Sequence, residues 1–267
     1  QREDYDKAFK WFSISAEKDS LNDETFSRLG EIEMKRENSI EAISNFSRAL
    51  ELEPGRSEYR LQLAEAYISR RWFEEASAQL ENLTASYPGN VHYLKRLGFS
   101  RNHGGMYSEA IEAYERALEL EPEEEQNVKN LVSAVLNRGA KLQGKGETEK
   151  AREQYYRAIS LYPRDWTAFN NLAVIEIDEG NYEKARQILQ QALELQPFAA
   201  KPNLNMGLVL EKLGLEKEAL EYLRKSYELN PMSSASEHIK RIEGKLKVKT
   251  PPQQRPLPQK VPAGELR

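Results

Sequence analysis

The stretch NNLAVIEIDEGNYEKARQILQQALELQP, residues 170–197, decides the fold. Its apolar residues recur every three or four positions on both sides of the sequence Gly180-Asn181-Tyr182, which predicts two amphipathic helices. Glycine at the end of the first pattern favours a left-handed helix cap. Proline at position 197 prevents the second helix from continuing. The stretch therefore predicts a helix, a tight turn and a second helix that packs against the first.

The same arrangement recurs along the chain with a period of 34 residues. Prolines mark the period at Pro54, Pro88, Pro122, Pro163, Pro197 and Pro231. Small residues keep the same step at Ala42, Ala76, Ala110, Ala151, Ala185 and Ala219. Only the interval from Pro122 to Pro163 is longer, at 41 residues. Such self-similarity is typical of an array of helical repeats, in which each unit buries its apolar faces against its neighbours.

These motifs closely resemble the tetratricopeptide repeat (TPR) family over about residues 3–233. The resemblance implies an all-α fold, a right-handed superhelical solenoid of about 14 helices. The six expected repeats are 23–56, 57–90, 91–124, 125–165, 166–199 and 200–233. Segment 1–22 matches only the second helix of a preceding repeat, so we expect the chain to be part of a longer protein.

Three segments depart from the simple period. The fourth repeat has seven additional residues, which are two helical turns, and its apolar pattern predicts one long helix from about 125 to 143. Segment 234–249 has an apolar stripe among lysines and arginines, and it predicts a C-terminal capping helix. Segment 250–267 is rich in proline and poor in large apolar residues, which predicts a disordered tail.

Composition narrows the functional classes. The chain of 267 residues has a formal net charge of −4, which does not favour general nucleic-acid binding. It contains no cysteine and no apolar run long enough to span a membrane. His92 and His103 are eleven residues apart, about 16 Å along one helix, too far to share a metal ion. We expect no catalytic site, no cofactor and no metal.

Asparagines recur at one position of the first helix in the last three repeats. They are Asn137, Asn171 and Asn205, and Asn170 is included with them as a second inward position. The family resemblance implies that first helices line a concave face that binds peptides. Because a side-chain amide both donates and accepts hydrogen bonds, such a ladder can bind successive peptide groups of an extended ligand. The alternative is that this position merely tolerates polar residues.

The third repeat carries a basic, aromatic cluster in its first helix. Its candidate ligand-binding residues are His92, Lys95, Arg96, Phe99, Asn102 and His103. Lysine and arginine suit the binding of a carboxylate or a phosphate. A solvated basic face is the alternative interpretation.

The sequence thus favours a protein-interaction scaffold that binds an extended polypeptide in the concave groove. The alternatives are a regulatory or substrate-recruiting region of a larger enzyme, for example a glycosyltransferase, and an envelope assembly factor. Self-association through the N-terminal half-repeat is a further expectation. The sequence does not specify a compartment, although an extracytoplasmic part of a larger protein is consistent with it.

Overall fold

A computed structural model describes residues 2–249 and shows that this part of the chain is all α-helical. The predicted proline-rich tail, 250–267, lies outside the described residues. No described helix is long and apolar enough to cross a membrane. The fourteen helices are α1 (Arg2–Lys18), α2 (Asp23–Lys35), α3 (Ser39–Leu52), α4 (Ser57–Ser69), α5 (Phe73–Ser86), α6 (Val91–His103), α7 (Tyr107–Leu120), α8 (Glu125–Gly144), α9 (Thr148–Leu161), α10 (Trp166–Asp178), α11 (Tyr182–Leu195), α12 (Ala200–Lys212), α13 (Glu216–Leu229) and α14 (Ala235–Lys249). The expectation of an all-α fold with about 14 helices is confirmed.

The helices form two compact units, which divide between Pro163 and Arg164. The N-terminal unit contains α1–α9, and the C-terminal unit contains α10–α14. In each unit, a first helix is followed by a short turn and by a second helix that packs against it. From α2 to α13, even-numbered helices are the first helices of the repeats and odd-numbered helices are the second.

Each turn within a repeat contains one residue with positive φ. Glycine occupies four of these positions, where it avoids the steric cost of a Cβ atom, but Glu37 and Arg71 occupy the other two. In each turn, a backbone N–H donates to the carbonyl five residues earlier, for example Asn181 N to Glu176 O at 2.8 Å. This is the Schellman arrangement, which satisfies carbonyl groups at the end of the first helix.

A small residue of the first helix lies opposite a large residue of the second. The six pairs are Gly30–Phe46, Ala64–Leu80, Gly98–Tyr114, Gly139–Tyr155, Ala173–Leu189 and Gly207–Leu223. All these large side chains are at most 3% exposed. Where the large residue is aromatic the small residue is glycine, because a Cβ atom at Gly98 would lie only 2.6 Å from Tyr114 Cε1. These pairs hold the two helices of a repeat close together.

Helix α8 contains the additional residues of the fourth repeat. It has 20 residues, whereas the other first helices have 13. It begins three residues after Pro122, the same interval that separates Pro88 from α6. The prediction of one long helix is therefore confirmed, and the turn that follows α8 has the same form as the other turns.

Helix α14 covers the apolar end of the C-terminal unit. Ala235 and Ile242 are completely buried, and Ile239 and Leu246 pack against the same core as α12 and α13. Its polar contact with α12 centres on one carboxylate, Glu211. The described contacts of that carboxylate are His238 Nδ1 at 3.0 Å, Arg241 Nε at 2.9 Å, Arg241 Nη2 at 2.6 Å and Lys245 Nζ at 3.8 Å.

We predict that Gly98→Ala lowers the free energy of unfolding by about 1–3 kcal/mol, because the new methyl group must displace the Tyr114 ring. Adding Tyr114→Leu recreates the alanine–leucine pair found in two other repeats, so the double variant should be more stable than the sum of the two single changes predicts. Chemical denaturation followed by circular dichroism measures both effects. Gly89→Ala is the control, because a Cβ atom there meets nothing within 4 Å. Strict additivity of the two changes would contradict the close contact.

A second prediction concerns the pH dependence of the contact between α14 and Glu211. Burial opposes ionisation of this carboxyl group, but hydrogen bonds from Arg241 and His238 outweigh it, and the pKa of Glu211 is lowered. A lowered pKa means that ionised Glu211 stabilises the folded state fully above the ordinary glutamate pKa, and that this contribution is lost as the pH falls through the lowered value.

We therefore expect Glu211→Gln to lower the free energy of unfolding by about 1 kcal/mol at pH 7, since its partners are partly exposed. The difference from the unsubstituted chain should shrink as the pH falls below the ordinary glutamate pKa. Urea titrations at several pH values measure it. Exposed Glu221, in α13, provides the matched control as Glu221→Gln. A difference that stays constant down to pH 3 would show that the carboxylate charge is not responsible.

Candidate peptide-binding surfaces on the first helices

In the N-terminal unit, polar side chains join each first helix to the next. Ser27 Oγ donates to Gln62 Oε1 at 2.9 Å, and Gln62 Nε2 donates to Glu31 Oε1 at 2.8 Å. The next helix continues the pattern, because the Arg96 guanidinium forms a two-pronged ion pair with the Glu65 carboxylate. Gln62 and Arg96 occupy the sixth position of their repeats, the same position as Asn205 in the sixth repeat. This position therefore faces the preceding first helix.

In the C-terminal unit, three of the predicted asparagines lie together. Asn205 Nδ2 donates to Asn170 Oδ1 at 2.9 Å, and Asn170 Nδ2 lies 3.3 Å from Asn171 Oδ1. Asn170 is buried, whereas Asn171 and Asn205 are half-buried. Among residues 2–249, Asn171 Nδ2 and Asn205 Oδ1 have no hydrogen-bond partner. The cluster thus presents one free donor and one free acceptor, the two groups that a peptide unit of a ligand requires.

Asn137, in the N-terminal unit, has a different environment. Its Nδ2 donates to Asn102 Oδ1 at 2.9 Å, and buried Asn102 is also 3.5 Å from Ser133 Oγ. Asn102 is the twelfth residue of its repeat, whereas Asn170, the partner of Asn205, is the fifth. The long helix α8 causes this difference, because its two additional turns place Asn137 farther from the helix start. Asn137 and Asn205 therefore do not occupy equivalent positions.

The cations of the third repeat are paired with carboxylates of the same chain. Lys95 Nζ lies 2.8 Å from Glu124 Oε2 and 3.7 Å from Glu121 Oε2. The hydrogen bond to Glu124 raises the pKa of Lys95 despite partial desolvation. Arg96 is paired with Glu65, as described above. An anionic ligand at either residue would have to compete with the carboxylate that is already in place.

The aromatic residues of this cluster form a separate stack. The rings of Phe99 and His103 have centroids 4.0 Å apart, and the Arg96 guanidinium lies 5.1 Å from the Phe99 centroid. His103 Nδ1 is also 2.9 Å from Phe99 O. His92 lies apart from this stack, against the edge of Tyr93 with a centroid distance of 6.0 Å. The structure thus brings Arg96, Phe99 and His103 together, but it places His92 elsewhere.

Sequence reasoning did not identify Ser27, Gln62 and Glu65 as members of these contacts. Gln62 and Arg96 are not asparagines, yet both reach the preceding helix from the same repeat position as Asn205. The partners on adjacent first helices are 31 or 35 residues apart in sequence. Polar residues at these two intervals are the signal that could have predicted the contacts.

Family models described as tetratricopeptide repeat match residues 33–97, 97–124, 136–200 and 177–233. The chain belongs to the tetratricopeptide repeat family. The small–large pairs, the Schellman turns and the prolines after the second helices are therefore features of a TPR array, and the resemblance inferred from the sequence is confirmed.

Curated relatives that match more than half of this TPR chain include a receptor and a transferase. The peroxisomal targeting signal receptor of Candida albicans is 25% identical over 214 residues, 64% of this chain and 35% of the receptor. The human protein O-mannosyl-transferase TMTC1 is 26% identical over 159 residues, 60% of this chain and 18% of that protein. The chain thus spans about a third of the first relative and less than a fifth of the second.

The same fold occurs in known structures. One of them, of pilF from Pseudomonas aeruginosa, has a TM-score of 0.51 and 17% sequence identity. The alignment covers 84% of this chain and 97% of that chain. At this identity the similarity concerns the fold alone.

Proposed function

We propose that this TPR protein is an interaction scaffold, and that the first helices of its C-terminal unit bind an extended polypeptide segment through side-chain amides. The observation that carries this proposal is the cluster of Asn170, Asn171 and Asn205, in which one amide donor and one amide acceptor are free among the described residues. The match to a targeting-signal receptor supports the choice of a polypeptide as ligand.

The cluster suits recognition of backbone rather than side chains. Asn170 is buried, and its Oδ1 accepts a hydrogen bond from Asn205 Nδ2. The half-buried side-chain amides of Asn171 and Asn205 are therefore held in place before a ligand binds. A peptide unit offers one N–H and one C=O group, which complement Asn205 Oδ1 and Asn171 Nδ2. The N-terminal unit, taken by itself, also presents an amide of this kind, because Asn137 is exposed and is fixed by Asn102.

We predict that Asn171→Ala combined with Asn205→Ala weakens binding of the partner segment about 5- to 150-fold, because two hydrogen bonds of about 0.5–1.5 kcal/mol each are lost. The partner is first captured from native cells, its bound segment is mapped, and the corresponding labelled peptide is titrated by fluorescence anisotropy. N-methylation of the contacted peptide amide should weaken binding similarly, whereas changes to the neighbouring peptide side chains should not.

The control variant removes two amides from the second helix α11, as Gln190→Ala with Gln191→Ala. Both residues are exposed. This variant should bind the peptide within two-fold of the unsubstituted chain. If the asparagine variant retains its melting temperature and also binds with unchanged affinity, the proposed surface is not the binding site.

A second candidate function is a regulatory or substrate-recruiting region of a larger enzyme. It is favoured by the match to an O-mannosyl-transferase, of which this chain spans 18%. An antibody raised against residues 2–249 would measure the size of the native polypeptide. A native product close to 30.8 kDa, the mass of this chain, would contradict the second candidate and leave the scaffold proposal intact.

A further inference from the structure

A basic cavity of about 360 Å³ lies in the N-terminal unit, apart from the asparagine cluster described above. One wall is formed by residues 105–109, which include the turn after α6 and the first residues of α7. The other wall is formed by Arg138 and Lys141 in the last part of α8 and by Lys145, the C-cap residue that follows the helix. Because these three residues are spaced at intervals of three and four, they share one face of the helix.

Unlike Lys95 and Arg96 of the third repeat, the three cations that line this cavity form no ion pair with a carboxylate of residues 2–249. Lys141 Nζ donates to Gly105 O at 2.9 Å and lies 5.2 Å from the Tyr107 ring centroid, which positions the ammonium group and leaves it two further N–H donors. Glu109 is the acidic residue of the lining, and Glu147 lies close enough to Lys145 to attract it, so the cations still outnumber the nearby carboxylates by three to two.

We propose that this cavity binds anionic side chains of a polypeptide partner. Arg138 and Lys145 are seven residues apart, about 10 Å along the helix. Side chains on one face of an extended peptide are about 7 Å apart, so two acidic residues separated by one residue can reach the basic face together. The proposal rests on the scaffold function only in taking a polypeptide as the source of the anion.

The long helix α8 is the element that provides this site. When the repeats are aligned on the pair Gly139–Tyr155, the three cations correspond to Leu97, Ser100 and Gly104 of the third repeat, none of which carries a charge. The N-terminus of α7 adds to the positive electrostatic potential of the cavity, because the partial positive charge of a helix N-terminus attracts anions. The anion itself is held by the cations, which supply charge-assisted hydrogen bonds.

The probes are three fluorescein-labelled decapeptides, which alternate glycine with glutamate, glutamine or phosphoserine. Fluorescence anisotropy with the full chain at 50 and 150 mM salt measures their affinities. The glutamate peptide should bind at least ten-fold more tightly than the glutamine peptide, although the chain as a whole is acidic, with a net charge of −4. A phosphoserine peptide that binds more tightly than the glutamate peptide assigns the site to phosphate, and the reverse order assigns it to carboxylates.

The test variant combines Arg138→Gln, Lys141→Gln and Lys145→Gln, and it should weaken binding of the preferred anionic peptide at least five-fold. A variant that keeps the charges, with Arg138→Lys, Lys141→Arg and Lys145→Arg, should bind within three-fold of the unsubstituted chain. Circular dichroism verifies that both variants remain folded. If the test variant unfolds, the charge-keeping variant still decides the question, together with the weaker binding of the anionic peptide at 150 mM than at 50 mM salt that the proposal requires.

The matched control removes three exposed cations from α1 of the same unit, as Lys7→Gln, Lys10→Gln and Lys18→Gln. It should bind the anionic peptides within two-fold of the unsubstituted chain. Equal weakening in the control, or equal affinity for the glutamine peptide, would overturn the proposal. These results are independent of the asparagine variant, which tests the scaffold surface in the other unit and should leave binding of the acidic probes unchanged.

Discussion

The close approach of two helices in each repeat is the contact on which the rest of the structure is built. It requires a small residue, such as Gly98, at the point where the first helix meets a large side chain of the second, such as Tyr114. A glycine in the middle of a helix costs about 0.5–1 kcal/mol relative to alanine. That cost is offset because burying an aromatic side chain contributes more than this. The aromatic ring therefore explains glycine in three of the four repeats that have it at this position, and in the fourth, Gly207, the close neighbour is Leu223.

Helix packing within a repeat also determines where polar side chains can lie. The second helix covers one side of the first helix, and several polar residues of the first helix contact the preceding first helix instead. Arg96 and Asn205 both do so, one with a carboxylate and the other with an amide. The two partners have different consequences for binding. An arginine held by a glutamate has its charge neutralised, whereas an amide held by another amide keeps an acceptor available to a ligand.

The helices and the small–large pairs could be predicted because they depend on local periodicity and on residues a fixed distance apart in sequence. The contacts between repeats were harder to predict from the sequence. Lys95 and Arg96 were predicted to belong to a candidate ligand-binding cluster, yet they have partners in Glu124 and Glu65, about 30 residues away in the adjacent turn and helix. Asn137 aligns with Asn205 by sequence period, but the length of α8 gives it a different partner. Such pairings depend on the relative placement of successive helices, which no single repeat encodes.

The same comparison explains why the end of α8 is the stronger candidate for binding an anion. For Lys95, binding an external carboxylate exchanges one ion pair for another, and the net gain is close to zero because Glu124 is then left without its cation. For Arg138 and Lys145, which form no ion pair with a carboxylate of residues 2–249, an incoming anion relieves the mutual repulsion of the two cations and of Lys141. A ligand is bound more favourably by charges that the fold has left without partners than by charges that the fold has already used. By this criterion, the lengthened helix of the fourth repeat is better suited to an acidic partner than the basic-looking helix of the third.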